Sequence, residues 1–221
     1  MDGYITAQVA SLPERVDTLE KMVNSIVGQV DHLFVALNKY TEVPSFLLGN
    51  DKIFYKLLDN SLGDAAKFYD IEYKDGYVFT CDDDLIYPPD YVSYMKSKVD
   101  EHKGVVSLLG KVYPRPVTSF RKGYSEIYRC LGTVSGDHAV DIVGTGAMAL
   151  HTDHIKLKLS DFERPNMADI WLSKIAHEQN VKLMVVSHRA KYVLHRTYDW
   201  RIWTKAGFDR YQTELLNEFL K

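Results

Sequence analysis

Cysteine is scarce in this chain: Cys81 and Cys130 are its only two, too few for a disulfide framework and not spaced as a CxxC metal pair. A reducing compartment is the expectation that follows. No run reaches the roughly 18 apolar residues that a membrane span needs, and Met1 to Ala10 lacks a basic leader followed by an apolar core. Neither secretion by a signal nor a membrane crossing is expected. Positive charge is not in excess either: 27 Lys and Arg face 30 Asp and Glu, a formal net charge of −3. No global field draws such a chain to nucleic acid. Internal repeats, low-complexity tracts and linkers are also missing. With 221 residues the chain can bury one substantial core and is short for two, so residues 1–221 are read as one domain.

What is present is the mix of an ordinary folded protein, 46% hydrophobic and 26% charged, which excludes a disordered chain. The 15 Tyr, 9 Phe and 3 Trp suit either a packed core or a sugar-binding surface. The apolar run Tyr4 to Ala10 predicts a strand, and Ser11-Leu12-Pro13-Glu14 has the spacing of a helix capping box. Val16, Leu19, Val23, Ile26 and Val27 follow at helical spacing, and His32 to Leu37 reads as a second strand. Further strands are predicted at Ile53 to Leu57, Tyr77 to Thr80 and Val105 to Leu109, with a short helix over Gly63 to Tyr69 and another over Tyr91 to Val99 after Pro88-Pro89-Asp90. Gly110 to Asp137, broken by Pro114, Pro116, Gly123, Gly132 and Gly136, reads as an extended connection with one short helix. Val140 to Leu150 is apolar around Gly144-Thr145-Gly146. A helix from Met167 to Gln179, a strand from Val181 to Val186 and a helical tail from Trp200 to Leu220 complete the chain. The alternation predicts an α/β fold with a central mixed, mainly parallel sheet flanked by helices.

The strongest chemical signal is Asp82-Asp83-Asp84 at the carboxyl end of an apolar strand, where open α/β sheets place their ligands. Adjacent carboxylates repel unless a cation neutralises them, and hard oxygen ligands suit Mg2+ or Mn2+. The bland alternative is a polar turn before the next helix.

With these pieces the sequence resembles the nucleotide-sugar-dependent GT-A glycosyltransferases, in particular small bacterial enzymes of polysaccharide synthesis. The resemblance covers nearly the whole chain: Ser11-x-Pro13-x-Arg15 opening the first helix, Gly63-Asp64-Ala65-Ala66-Lys67, Tyr77 to Asp84 as the DxD region, Val143-Gly144-Thr145-Gly146, and Asn166-Met167-Ala168-Asp169-Ile170-Trp171. It implies that Ala7, Ser11, Pro13 and Arg15 hold the donor nucleotide, and a helix N-terminus with an early Arg suits an anion. Solvation of Arg15 and plain capping by Ser11 are the competing readings. Asp64 and Lys67 are implied to approach the nucleotide from the other side, or else to form a surface pair. The resemblance assigns Asp84 to the metal and Asp82 to the ribose or the metal's water shell, with Asp83 supporting one or both. Gly144, Thr145 and Gly146 are implied to let the backbone approach the sugar, although glycines also make plain turns.

Asp169 is the implied base for the acceptor hydroxyl, in a place where many relatives carry a Glu-Asp pair and this chain has Ala168-Asp169. Its alternative is an acid that complements a helix dipole. His195 in Val193-Leu194-His195-Arg196 is a candidate third metal ligand, in competition with His188. Trp200, Trp203 and the tyrosines between Tyr192 and Tyr211 read as a sugar-stacking wall, a lid or core packing. Arg196, Arg201, Lys205 and Arg210 read as anion-binding or solvated charges.

The expectation is thus a GT-A domain, its nucleotide-binding half at about residues 1–100 and its acceptor half at about 101–221. Its reaction is a metal-dependent transfer of a sugar, from a UDP-sugar in preference to other nucleoside-diphosphate sugars, to a hydroxyl of a glycan or lipid-linked glycan acceptor in bacterial surface polysaccharide synthesis. Inversion is expected, though retaining enzymes share the fold. Mn2+ or Mg2+ is the expected cofactor, and the cytoplasm, including the inner membrane face, the expected location. The rivals are a sugar nucleotidyltransferase, whose usual glycine-rich loop is missing between Tyr4 and Arg15, and a non-catalytic glycan-binding or scaffold domain.

Overall fold

Strict alternation of side chains organises the central strands, and it sorts the chain into two apolar faces. A computed structural model describes residues 3–195 and 208–221. Four strands come first: β1 (Ile5–Ser11), β2 (His32–Asn38), β3 (Ile53–Leu58) and β4 (Tyr77–Asp82). Then follow β5 (Leu85–Ile86), β6 (Val105–Ser107), β7 (Gly110–Val112), β8 (Glu126–Tyr128) and β9 (His138–Ala139). The last are β10 (Ile142–Val143), β11 (Ala147–His151), β12 (Leu183–Val185) and β13 (Leu194–His195). Four helices accompany them: α1 (Val16–Ile26), α2 (Tyr91–His102), α3 (Ala168–Glu178) and α4 (Phe208–Phe219).

The main sheet has eight strands in the order β3-β2-β1-β4-β11-β6-β12-β9. β1 to β4 pair parallel, as do β6 and β12, while β11 runs antiparallel between β4 and β6. The mixed, mainly parallel sheet expected from the strand and helix alternation is the one observed. Tyr77, Phe79 and Cys81 of β4 point into one apolar cluster with Leu19, Met22 and Ile26 of α1 and Met95 and Val99 of α2. Val78 points the other way, into a second cluster with Trp171, Leu172 and Ile175 of α3. Helices therefore cover both faces, as buried parallel strands require. Leu19, Met22, Val23 and Ile26 of α1 recur at three- and four-residue spacing and are all buried, the amphipathic stripe that fixes the helix on the sheet.

Three expectations are corrected. Ser11 does not cap a helix: it is the last residue of β1, a short 3-10 turn Pro13–Arg15 intervenes, and α1 starts at Val16 without a side-chain cap. Pro13 with its fixed φ opens that turn, and this displaces the cap. Gly63 to Tyr69 forms a 3-10 turn, Gly63–Phe68, because Gly63 sits at φ +54°, outside the helical region. Gly110 to Asp137 contains no helix but contributes β7 and β8 to a three-stranded antiparallel sheet ordered β10-β7-β8. Strands of three residues interrupted by Gly and Pro are too short to leave a periodic signal. Of the tail helix expected from Trp200 to Leu220, Phe208–Phe219 is helical, and the part before Phe208 lies outside the described residues.

Candidate functional site

The carboxyl end of β4 gathers the acid triplet. Asp82 pairs in register with Ala10 of β1, so the turn that follows faces Ser11 to Arg15 at the same sheet end. There Arg15 Nη1 lies 2.6 Å from Asp83 Oδ1 and 3.2 Å from Asp84 Oδ2. Lys67, buried by the 3-10 turn Gly63–Phe68, reaches Asp82 Oδ1 at 2.5 Å. β5 leaves the turn and pairs with β13, and this brings His195 Nε2 to 3.5 Å from Asp84 Oδ2. The side chain of Asp83 is only 5% exposed and that of Asp82 is 46% exposed, so Asp83 is an internal anchor for Arg15 while Asp82 keeps an oxygen open to a ligand.

A second wall comes from the chain between β10 and β11 and from the start of α3. Thr145 donates its backbone N–H and its hydroxyl to Asp169 Oδ1, at 2.8 and 2.7 Å. Its carbonyl in turn accepts the Thr80 hydroxyl at 2.7 Å. One oxygen of Asp169 is thereby fixed and the other has no hydrogen-bond partner among the described residues. Asp64 Oδ2 accepts the Ala168 N–H at 3.1 Å, so this carboxylate satisfies an orphan donor at the N-terminus of α3 and positions the helix that carries Asp169. Gly146 leaves room for the Asp82 carboxylate: a Cβ there would lie 2.0 Å from Asp82 Oδ2 and would have to displace that side chain. Gly144 is held equally close, with a Cβ position 2.2 Å from Leu109 Cδ2.

The electrostatics follow from crowding acids in a partly dry cleft. Burial pushes Asp64 up to about 6 and Asp83 up to about 6, against the pull of Lys67 on the first and of Arg15 on the second. Burial, with the neighbouring Asp82 charge, also raises Asp84, and burial raises Asp169 against its bonds from Thr145. Lys67 is held well above the ordinary lysine range: Asp82 and Asp64 outweigh its desolvation. Arg15 and Lys67 offset two of the three triplet charges, leaving the cluster negative.

A divalent cation fits this donor set in chemistry: two carboxylates and an imidazole suit Mn2+ or Mg2+. Asp84 and His195 already lie within ligand-sharing distance, whereas Asp82 is turned to Lys67. The one group of three such ligand atoms within 4.8 Å of one another among the described residues is Glu101, His102 and Asp137, away from the cleft. Lys98 already bridges its two carboxylates at 2.8 Å each.

Of the residues singled out in the sequence, Ser11, Arg15, Asp64, Lys67, the acid triplet, the Gly144 to Gly146 segment, Asp169 and His195 gather at this end of the sheet. Ala7 does not: it is fully buried in β1, paired with Phe79 three ladder positions before Asp82. Pro13 acts through the backbone of its turn. The surface-pair reading of Asp64 and Lys67 does not hold, because Lys67 is buried and each contacts a different element. His188 does not compete as a ligand, since its two ring nitrogens meet the carbonyls of Val186 and Arg129 in the interior. Arg210 is 90% exposed and pairs with Glu214 within α4. Arg196, Trp200, Arg201, Trp203 and Lys205 lie outside the described residues.

Sequence reasoning missed Tyr87 and Asn38. The Tyr87 hydroxyl donates to the Gly146 carbonyl at 2.5 Å and accepts the Asp82 N–H at 3.0 Å, tying the two walls together. Asn38 ends β2 and donates to the Gly63 carbonyl at 3.0 Å. Tyr87, three residues past the triplet and just before Pro88-Pro89, carried a usable signal; Asn38 carried none.

An eight-stranded, mainly parallel sheet with helices on both faces and a carboxylate cleft at its strand ends defines a GT-A-like α/β fold. The solved structures agree. Residues 1–349 of Staphylococcus aureus TarS in complex with UDP-GlcNAc match at a TM-score of 0.58 and 14% identity, over 92% of this chain and 61% of that one. A second structure of TarS 1–349 matches at a TM-score of 0.54 and 13% identity, over 98% of this chain and 70% of that one. The chain thus spans about three fifths of the length of the first, and the likeness is one of fold. No family model and no curated protein matches the sequence.

Proposed function

We propose that this protein is a glycosyltransferase that moves a sugar from a UDP-sugar to a hydroxyl of a glycan or lipid-linked glycan acceptor. The observation that carries the reading is the meeting, at one strand end, of a cation-braced acid triplet and a carboxylate held by one oxygen and free at the other. The likeness in fold to TarS in complex with UDP-GlcNAc supports a nucleotide sugar as the donor.

In this reading Ser11, Arg15 and the backbone of the Pro13–Arg15 turn face the nucleotide and its diphosphate, and Lys67 adds charge from the opposite side. Asp82 and Asp84, joined by His195, would hold Mn2+ or Mg2+, which supplies charge neutralisation to the diphosphate leaving group. The Gly144 to Gly146 segment leaves room for the sugar. Asp169 takes the proton of the acceptor hydroxyl with its free oxygen, and Thr145 keeps that carboxylate in register. Attack from the side opposite the leaving group inverts the anomeric carbon. The nucleotide contacts come from the first half of the chain and the acceptor side from the second, and bacterial surface polysaccharide synthesis at the inner membrane face is the setting proposed. Among the described residues no helix is long and apolar enough to cross a membrane, so contact with a lipid-linked acceptor is proposed as peripheral.

Calorimetric titration with UDP and with GDP, each with and without Mn2+, tests this on the wild type, Asp84→Ala and Asp169→Asn. Mn2+-dependent UDP binding is expected in the wild type, is lost in Asp84→Ala and persists in Asp169→Asn, whose turnover falls by about 10²- to 10⁴-fold. Folded protein that binds neither nucleotide under any condition refutes the reading and favours a scaffold.

A further inference from the structure

The two edges of the main sheet are built differently. β9 is two residues long, too short to template another strand, whereas β3 runs over Ile53–Leu58 in unbroken parallel register with β2. Natural proteins blunt a long edge with proline, a bulge or a covering element, and among the described residues β3 has none of these. Its flank is also apolar. Phe54, Tyr55 and Leu57 are 50, 41 and 43% exposed, and they stand on both faces of the strand.

Backbone parity fixes which groups this edge offers. The Leu33 N–H donates to the Lys52 carbonyl at 2.8 Å and the Lys39 N–H to the Leu58 carbonyl at 2.7 Å, so the even-numbered residues turn their peptide groups to β2. Ile53, Tyr55 and Leu57 therefore turn theirs outward. The Ile53 N–H is taken by the Asn50 carbonyl at 2.9 Å, which leaves the Ile53 carbonyl and both groups of Tyr55 and Leu57 to the edge.

Such an edge is answered by an antiparallel strand with outward groups at the same two-residue spacing, and a second β3 supplies that pattern about a two-fold axis. Parity admits only registers in which an odd-numbered residue faces an odd-numbered one. An axis at Lys56 sets that lysine against its own copy, and an axis at Phe54 sets Lys52 against Lys56, like charges directly opposite in both. Axes further out pair half the strand or less. With the axis at Tyr55, Ile53 faces Leu57, Tyr55 faces itself and Phe54 faces Lys56, so each lysine stem lies along a ring and no two charges within the strand oppose one another. Asp51 comes opposite Asp59 only beyond the strand ends, where Asp59 is turned onto Ser61. Ile53, Tyr55 and Leu57 of both copies then make one apolar strip on a single face.

We propose that the protein pairs with a second copy of itself through β3, antiparallel and centred on Tyr55. The two sheets become one, and their clefts open at opposite ends of it because the pairing reverses strand direction. A contact one strand long lies at the low end of stable interfaces, about 1,000 to 1,200 Å², so the dimer is concentration-dependent, with a Kd on the order of 1 to 100 μM. No residue of the cleft takes part, and the proposal stands apart from the transferase reading.

Sedimentation velocity from about 1 to 300 μM tests it on the wild type and Tyr55→Lys, with melting curves to show that both fold. The wild-type mass is expected to rise from 25.4 kDa toward twice that value, and Tyr55→Lys, which sets two ammonium groups face to face, is expected to stay at one copy. Register is read by oxidative cross-linking of Phe54→Cys, Tyr55→Cys and Lys56→Cys, each combined with Cys130→Ser because the remaining Cys81 is buried. Only Tyr55→Cys is expected to cross-link. Its two Cα atoms lie about 5.5 Å apart, within reach of a disulfide, whereas the other two positions meet their copies on the diagonal, about 7 to 8 Å apart. A dimer undiminished in folded Tyr55→Lys, or cross-linking at Phe54→Cys or Lys56→Cys in place of Tyr55→Cys, overturns the proposal. A wild type that is monomeric throughout also overturns it, and leaves the edge to a strand of another protein.

Discussion

Gly146 carries the tightest steric constraint in the cleft, since any Cβ would occupy the space of the Asp82 carboxylate. Gly146→Ala is expected to push Asp82 away from Lys67 at a cost of about 1 to 3 kcal/mol in stability, and to abolish Mn2+-dependent nucleotide binding. Thermal unfolding and calorimetry on the same sample check both; unimpaired binding in the variant would sink this view of the cleft. Asp64 yields a pH-dependent prediction. Its folded value is raised from 3.8 to about 6, so the folded state holds its proton more firmly than the unfolded chain does. Stability is then greatest below about pH 4 with respect to this group and falls as pH rises through 6, by about 3 kcal/mol in all. Asp64→Asn keeps an oxygen for the Ala168 N–H and removes that slope, so the variant should outlast the wild type at pH 8 and lose its advantage at pH 4. At this scale the acid triplet, Arg15, Lys67 and Asp169 were legible because charge in apolar surroundings stands out in a sequence. Asn38 was not, because an asparagine acquires its role only from what the folded chain puts opposite it.

Helix α2 is tied to the far edge of the sheet through one carboxylate. Asp137 accepts from Lys98 and His102 of α2 at 2.8 and 2.7 Å, and from the Ser187 N–H, just past β12, at 2.8 Å. Burial alone would raise Asp137; the Lys98 ammonium, the Ser187 N–H and His102 outweigh it and hold it well below the usual carboxylate range. A depressed folded value means stability that is present above the unfolded value near 4 and is lost as pH falls toward the folded one. Asp137→Asn should cost about 1 to 3 kcal/mol at pH 7, with the difference shrinking as pH drops below 4, measured by urea unfolding at pH 7 and pH 3. A gap that stays constant across that range would mean the bonds contribute nothing charge-dependent. Among elements, the long strands β1, β2 and β4 were readable, since six- and seven-residue segments of mostly apolar residues need no tertiary context. The β7-β8-β10 sheet was not, because two- and three-residue strands exist only through their partners.

For the whole molecule the decisive quantity is what the acid cleft does to global stability. A site that binds Mn2+ only when folded stabilises the protein by about 2.7 kcal/mol at a metal concentration 100 times the dissociation constant. For a chain of 221 residues that is a rise of about 5 to 10 °C in melting temperature. Chelation should reverse it, and Asp84→Ala should not show it; an identical rise in that variant would place the metal elsewhere, with Glu101, His102 and Asp137 as the first place to look. At this scale the sheet class was legible, because alternating strands and helices admit few right-handed arrangements. Which end of the sheet would collect His195 was not, since that depends on pairing between segments about a hundred residues apart. That pairing has a consequence for anyone shortening the chain. Among the described residues the strand partners of Leu85 and Ile86 are His195 and Leu194, so a version ending before Leu194 leaves the strand that follows Asp84 without its second rail. Trimming a terminus, ordinarily the safest edit to a protein, would here reach directly into the centre of the cleft.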